Sequence, residues 1–173
     1  MGWWHSYYAS VVARSSVGTW LCLLVDNELT GASVLYYIPS TEPLVGVLYY
    51  IVIREDYEGL GLGKVLLASS EEILEARGCQ VFVASTTSDN IRSRRLFRSM
   101  GYAEVEIDDL LSFGRYRDVE LVIKALCGFE DDVLLIKGAS AAELIAIVKR
   151  SAQAVRSLWR SLCYEPWRRL WMK

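Results

Sequence analysis

Apolar positions in this chain form two kinds of pattern, one repeating at helical spacing and one running almost without a break. Trp3, Trp4, Tyr7, Tyr8, Val11 and Val12 recur in pairs every four residues, which puts them on one helical face. Residues 19–25, 31–38 and 44–53 are nearly continuous apolar runs and read as strands with both faces covered. A turn at Asp26-Asn27-Glu28-Leu29 joins the first two, and a hairpin at Pro39-Ser40-Thr41-Glu42-Pro43 leads into the third. A helix is predicted over 61–77, burying Leu62, Val65, Leu66, Ile73 and Leu74 and stopped by Gly78. Residues 80–85 read as the next strand and 90–100 as a short helix stopped at Gly101. Residues 102–107 and 118–125 read as two final strands, joined by a loop around Phe113-Gly114-Arg115-Tyr116-Arg117. Strands that cross over through helices, with an antiparallel hairpin at each end, predict an α/β (α+β) fold with a mixed sheet flanked by helices.

The remaining segment is helical in pattern. Ser140-Ala141-Ala142-Glu143 is a capping box. Leu144, Ile145, Val148, Ala152, Val155, Leu158, Trp159 and Leu162 then make one apolar stripe, with Lys149, Arg150, Arg156 and Arg160 away from it. Pro166 is expected to end this helix. The chain therefore divides into a sheet-bearing domain over 1–128 and a helical extension over 129–173. The extension is expected to pack on that domain or on a second subunit, giving a homodimer.

Composition narrows the function classes. With 173 residues and 53% hydrophobic content the chain can bury a substantial core. Residues 1–136 hold 11 Lys and Arg against 19 Asp and Glu, while 137–173 hold 8 against 2. An acidic body argues against a nucleic-acid partner, and a dry protein interface is favoured over a membrane for the basic helix. Cys22, Cys79, Cys127 and Cys163 are scattered, and His5 is the only histidine. That spacing argues against a metal site and for reduced thiols in a cytoplasmic setting. Only four Asn and Gln residues point to a heat-adapted, thermophile source.

The chemistry concentrates in Glu58-Gly59-Leu60-Gly61-Leu62-Gly63-Lys64, placed between an apolar strand and a helix. Glycines there let backbone N–H groups approach a phosphate, and the helix N-terminus adds partial positive charge. A Walker A loop would need a glycine at 58 and a hydroxyl at 65, where Glu58 and Val65 stand. A dinucleotide fingerprint needs Gly-x-Gly-x-x-Gly, and this loop is Gly-x-Gly-x-Gly.

Residues 19–126 resemble the GNAT acetyltransferase superfamily. Its signature Arg/Gln-x-x-Gly-x-Gly/Ala is matched by residues 58–63 except at Glu58. Its second signature, an early Asn in a short helix ending Leu-Tyr-x-x-x-Gly-Phe, is matched by Asn90, Leu96-Phe97 and Gly101-Tyr102. The resemblance implies a mostly antiparallel sheet in which strands 44–53 and 80–85 form a central, splayed parallel pair. It implies acetyl-CoA as co-substrate, with the pantetheine arm at Ile51, Val52 and Ile53. The pyrophosphate would meet Glu58, Gly59, Leu60, Gly61, Leu62, Gly63 and Lys64, and Asn90 and Phe97 would lie beside the arm. It implies that a strand and first helix usual in relatives are missing, with residues 3–12 a remnant of the second helix.

Departures from the pattern carry expectations of their own. The Glu58 carboxylate would repel a diphosphate unless it faces solvent or pairs with Lys64 or an arginine. Phe97 replaces the tyrosine that in relatives protonates the leaving thiolate. Strand 44–53 holds no carboxylate, only Tyr49 and Tyr50, expected on opposite faces. Tyr116 is the candidate acid or substrate contact, and Asp118 and Glu120 are candidates for a water-relayed base. Arg92, Arg94, Arg95 and Arg98 would attract a phosphate or pair with nearby carboxylates. The expected activity is acetyl transfer to a primary amine: a protein N-terminus, a lysine or a small molecule. The alternative is a silent acyl-CoA-binding or regulatory module of the same fold.

Overall fold

The computed structural model describes residues 3–172; the side chains of Trp3 and Trp4 lie outside what it describes. In chain order the elements are α1 (Trp3–Ala13), β1 (Gly18–Val25), β2 (Glu28–Ile38), β3 (Leu44–Ile53), α2 (Leu62–Ala76), β4 (Cys79–Thr86) and α3 (Ile91–Ser99). There follow β5 (Ala103–Glu106), α4 (Tyr116–Leu126), β6 (Val133–Lys137), α5 (Ala141–Arg150), α6 (Ala152–Trp159) and α7 (Glu165–Trp171). The six strands form one sheet in the order β1-β2-β3-β4-β6-β5. Every neighbouring pair is antiparallel except β3 and β4. This is the mixed, mostly antiparallel sheet with a central parallel pair.

Each face of the sheet carries its own core. Leu67 and Leu74 of α2 and Phe97 of α3 pack with Leu35, Leu48, Phe82 and Leu135 on one face. On the other, Val119 and Val122 of α4, Leu144 and Val148 of α5, and Val155 and Leu158 of α6 pack with Tyr36, Val47, Val83 and Ile136. The capping box at Ser140 forms as the sequence predicts, with Ser140 Oγ accepting from the Glu143 N–H and the Glu143 carboxylate from the Ser140 N–H. The C-terminal helices thus cover the sheet face of their own chain.

Several expectations are corrected. Residues 118–125 are helix α4, not a strand. Val119, Leu121, Val122, Ala125 and Leu126 are its buried residues and form a helical stripe, and Asp118 accepts the Arg115 N–H at its start. The last strand is β6, which enters the middle of the sheet between β4 and β5, so the sheet extends past residue 128. Pro166 does not stop the C-terminal helix. A π-turn over Arg160–Tyr164 precedes it and absorbs the register change that a missing N–H imposes. Val65 is exposed, because the buried stripe of α2 runs through Leu66, Leu67, Ser70, Glu71 and Leu74.

β1 is likewise not covered on both faces. It is an edge strand whose Trp20, Cys22 and Leu24 are exposed, Trp20 at 62%. Finally, Cys127 and Cys163 are joined as a disulfide with Cα atoms 5.9 Å apart, within the usual range. Cys22 is exposed and Cys79 buried. The scattered spacing therefore did not mean four free thiols, and it no longer argues for a reducing compartment.

Candidate active site

The parallel pair separates. β3 and β4 are in register at Leu44/Cys79, Val45/Val81, Gly46/Phe82 and Val47/Val83, and pair no further. Beyond that point β3 continues to Ile53 alongside β2, while Phe82–Thr86 of β4 pair with β6. The parting coincides with a bulge. Val34 faces Tyr50 and Leu35 faces Leu48, which leaves Tyr49 as the extra residue in β3. A bulge of this kind bends its strand and sharpens the local twist. The edge of residues 48–53, including Ile51, Val52 and Ile53, therefore borders a gap instead of a ladder.

The glycine loop stands at the mouth of this gap. Arg54 N–H donates to Thr30 O at 2.7 Å, and a short 3₁₀ turn over Glu55–Tyr57 delivers the chain to Glu58. Gly59 and Gly61 have φ of 78° and 79°, a region that favours glycine, and a Cβ on either would meet only open space. Gly61 is the N-cap of α2, and Lys64 N–H donates to its carbonyl at 3.0 Å. The amides of Leu62 and Gly63 therefore lie ahead of the first bonds of the helix, where the helix dipole favours an anion. Gly63 serves packing instead: a Cβ there would sit 3.4 Å from Leu96 of α3. Leu60 and Lys64 are exposed, so the loop is open to solvent.

Charge around the loop is balanced. Glu58 pairs with Arg92 of α3. Arg94 and Arg98 both pair with Glu104 of β5, at 3.0 and 3.1 Å. Asn90 caps α3 by accepting the Ser93 N–H at 3.2 Å and donates to Thr86 Oγ1 at 3.0 Å. It thereby ties the start of α3 to the parted end of β4.

Comparison with known proteins agrees with this geometry. The sequence profile of the acetyltransferase (GNAT) family matches residues 2–102, more than half of the chain. The chain belongs to the GNAT acetyltransferase family. Among solved structures, a GNAT-family acetyltransferase from Staphylococcus aureus Mu50 superposes with a TM-score of 0.56 at 14% identity, covering 78% of this chain and 76% of that one. The PaiA N-acetyltransferase of Thermoplasma acidophilum, solved with coenzyme A, gives 0.55 at 16% identity, covering 76% and 67%. Likeness at this identity speaks for the fold alone. The mycothiol acetyltransferase of Arthrobacter sp. strain FB24 is 29% identical over 66 residues, 38% of this chain and 20% of that protein. The chain thus spans about a fifth of the length of that relative.

The residues present fit the cofactor of a GNAT enzyme. Two glycines with open space beside them, amides ahead of the first helical bonds and a gap between parallel strands provide for a diphosphate and an extended arm. Phe97, expected beside the arm, and the catalytic candidates stand elsewhere. Phe97 is 2% exposed and packs edge-on to Tyr102 at 4.9 Å between ring centres, so it belongs to the core and offers no surface to an arm. Tyr116 is 74% exposed in the first turn of α4. The other end of α4 runs into Gly128, which lies against Ser85 beside the gap. A helix of 11 residues separates these ends by about 15 Å, which puts Tyr116 at the end of α4 away from Ser85. Asp118 is bound to Lys149 at 3.1 Å and Glu120 to Lys124 at 2.8 Å, and each partner holds its carboxyl below the usual range.

Tyr49 and Tyr50 do not point to opposite faces. The bulge puts both against the α4–α6 core, with ring centres 4.4 Å apart, and burial raises both hydroxyl pKa values. His5 of α1 lies 3.3 Å from the Tyr50 hydroxyl. Asp131 was not singled out from sequence. It sits in the loop between α4 and β6, accepts a hydrogen bond from Ser85 Oγ, and burial raises its pKa. The acidic run Glu130-Asp131-Asp132 just before an apolar stretch was its only sequence signal.

Proposed function

We propose that this chain transfers an acetyl group from acetyl-CoA to a primary amine, by direct attack within a ternary complex. The observation that carries this reading is the parting of β3 from β4 beyond Val47 and Val83, beside an open loop with left-handed glycines at 59 and 61. Loop amides and the α2 N-terminus would hold the diphosphate, with Lys64 beside it and Glu58 neutralised by Arg92. Backbone N–H groups on the parted edge of β3 would polarise the thioester carbonyl. The co-substrate supplies an activated acyl group whose thiol, with a pKa near ~8.5, leaves without obligatory protonation. The amine lone pair forms the new C–N bond, the C–S bond breaks, and the proton released from nitrogen passes to a base.

One observation favours a second reading, a silent acyl-CoA-binding module: the position at which relatives carry a proton-donating tyrosine holds the buried Phe97. The test is calorimetric titration with acetyl-CoA, followed by an assay of thiol release with a panel of primary amines. Amine-dependent release is expected. Tight binding with no release on any amine would favour the silent module, and no binding at all would defeat both.

A further inference from the structure

On the face of the sheet opposite α2 and α3, the gap is bordered by side chains that the cofactor reading does not use. Ser85 lies two residues past Val83, the last position of β4 in register with β3, and so shares the face of Val83. Tyr50 lies three residues past Val47 and packs on that same face. Asp131 accepts from Ser85, and its charge helps hold up the Tyr50 pKa, after the larger effect of burial. Its carboxylate therefore stands beside the opening, across from the glycine loop.

Asp131 differs from the other carboxylates around it. Asp132 is taken up by the Ser88 N–H and hydroxyl, Asp118 by Lys149 and Glu120 by Lys124. Among the described residues no lysine or arginine forms an ion pair with Asp131. The groups that face it are Ser85 of β4, Tyr50 of β3 and, on its own loop, the like charges Glu130 and Asp132; His5 and Tyr8 of α1 act on Tyr50. Burying a carboxylate is costly in proportion to the positive charge it lacks, and a cation entering the gap would relieve that cost.

We infer that Asp131 receives the acceptor: it binds the ammonium group of a cationic primary amine entering from the α1 and α4 face and takes the proton that its nitrogen must lose. The inference rests on the acetyl-transfer reading. Asp131 Oδ accepts one ammonium N–H proton, and the freed nitrogen lone pair attacks the thioester from the side opposite the glycine loop. As the C–S bond breaks, the second proton lost from nitrogen goes to the departing thiolate, which leaves as the thiol. Ser85 is a positioning residue, since its hydroxyl donates to the carboxylate and favours the charged form.

The test uses the full chain with acetyl-CoA and three probes: a primary alkylamine, free lysine and a short peptide with a free N-terminus. Asp131→Asn should lower kcat/KM by about 10²–10⁴-fold and remove the acidic limb of its pH profile, with acetyl-CoA affinity unchanged. Ser85→Ala should shift that limb to higher pH. Calorimetry of the same amines against the chain loaded with coenzyme A reads binding without turnover, and Asp131→Asn should abolish the heat seen with wild type. Amine binding lost in Asp131→Asn, in a wild type that never releases thiol, would support the acceptor site while sinking the transfer reading. Full activity in Asp131→Asn, or wild-type chain that binds none of the amines, would overturn the inference; unchanged acetyl-CoA affinity certifies that each variant is folded.

Discussion

Arg92, in the first turn of α3, pairs with Glu58 at the head of the glycine loop. The two lie 34 positions apart in the chain. The pair bears on the departure at Glu58: in the proposed site, the carboxylate would be offset by a guanidinium from the neighbouring helix.

Removing that guanidinium should therefore be felt in binding. Arg92→Ala is expected to weaken acetyl-CoA affinity about two- to fivefold at low ionic strength, the modest scale of an exposed pair. The deficit should shrink with added salt. Adding Glu58→Gln to Arg92→Ala should restore affinity. Titration calorimetry at two salt concentrations reads both effects, and equal affinity for wild type and Arg92→Ala at low salt would count against the arrangement.

Gly61→Asp tests the loop itself. Its side chain meets no protein atom within 4 Å, so the fold has room for it, at a cost of about 1–2 kcal/mol for a left-handed φ. A diphosphate does not, because the new carboxylate brings bulk and like charge into its place. Loss of acetyl-CoA binding is expected from a chain that still unfolds cooperatively. Wild-type affinity in this variant would refute the loop assignment.

Phe97→Tyr asks whether the family's tyrosine can be restored. The ring is enclosed between Leu96, Tyr102 and the sheet, so a hydroxyl there would be buried without a solvent path. A destabilisation of about 1–3 kcal/mol is expected, with no gain in thiol release. A rise in kcat would show that position 97 does reach the leaving group.

The Cys127–Cys163 bond closes a separation of 36 residues. By loop-closure entropy alone it should contribute roughly 4 kcal/mol. Urea unfolding with and without reductant, or of Cys127→Ser with Cys163→Ser, should show a lower midpoint by that measure. The same bond ties the start of the Asp131 loop to the π-turn, so reduction is also expected to lower amine turnover more than acetyl-CoA affinity. Identical midpoints would remove the bond from any role in stability.

The glycine loop, the long strand before it, the helix after it and the capped helix at 141 were legible in the sequence because each is a local matter. Gly59 and Gly61 announce a backbone conformation, the apolar run of 44–53 a covered strand, and Ser140 with Glu143 a helix start. Residues 118–125 were harder. Val119, Val122 and Ile123 fit strand and helix alike, although Val119, Val122, Ala125 and Leu126 recur at helical spacing, and packing against α5 and α6 settles the helix. With that helix placed, β6 becomes the strand that completes the sheet between β4 and β5.

The sequence by itself determined the glycine loop and the helix it opens, since those depend on φ angles and helix ends within seven residues. Only the tertiary structure decided which residues meet across the gap. The bulge at Tyr49 comes from register against β2, the Arg92–Glu58 pair from packing of α3 beside the loop, and the isolation of Asp131 from a hydrogen bond to Ser85, 46 positions away. Burial and charge balance are properties of neighbours in space, and the partners that decide them here, β2 for Tyr49, Arg92 for Glu58 and Ser85 for Asp131, lie well apart along the chain.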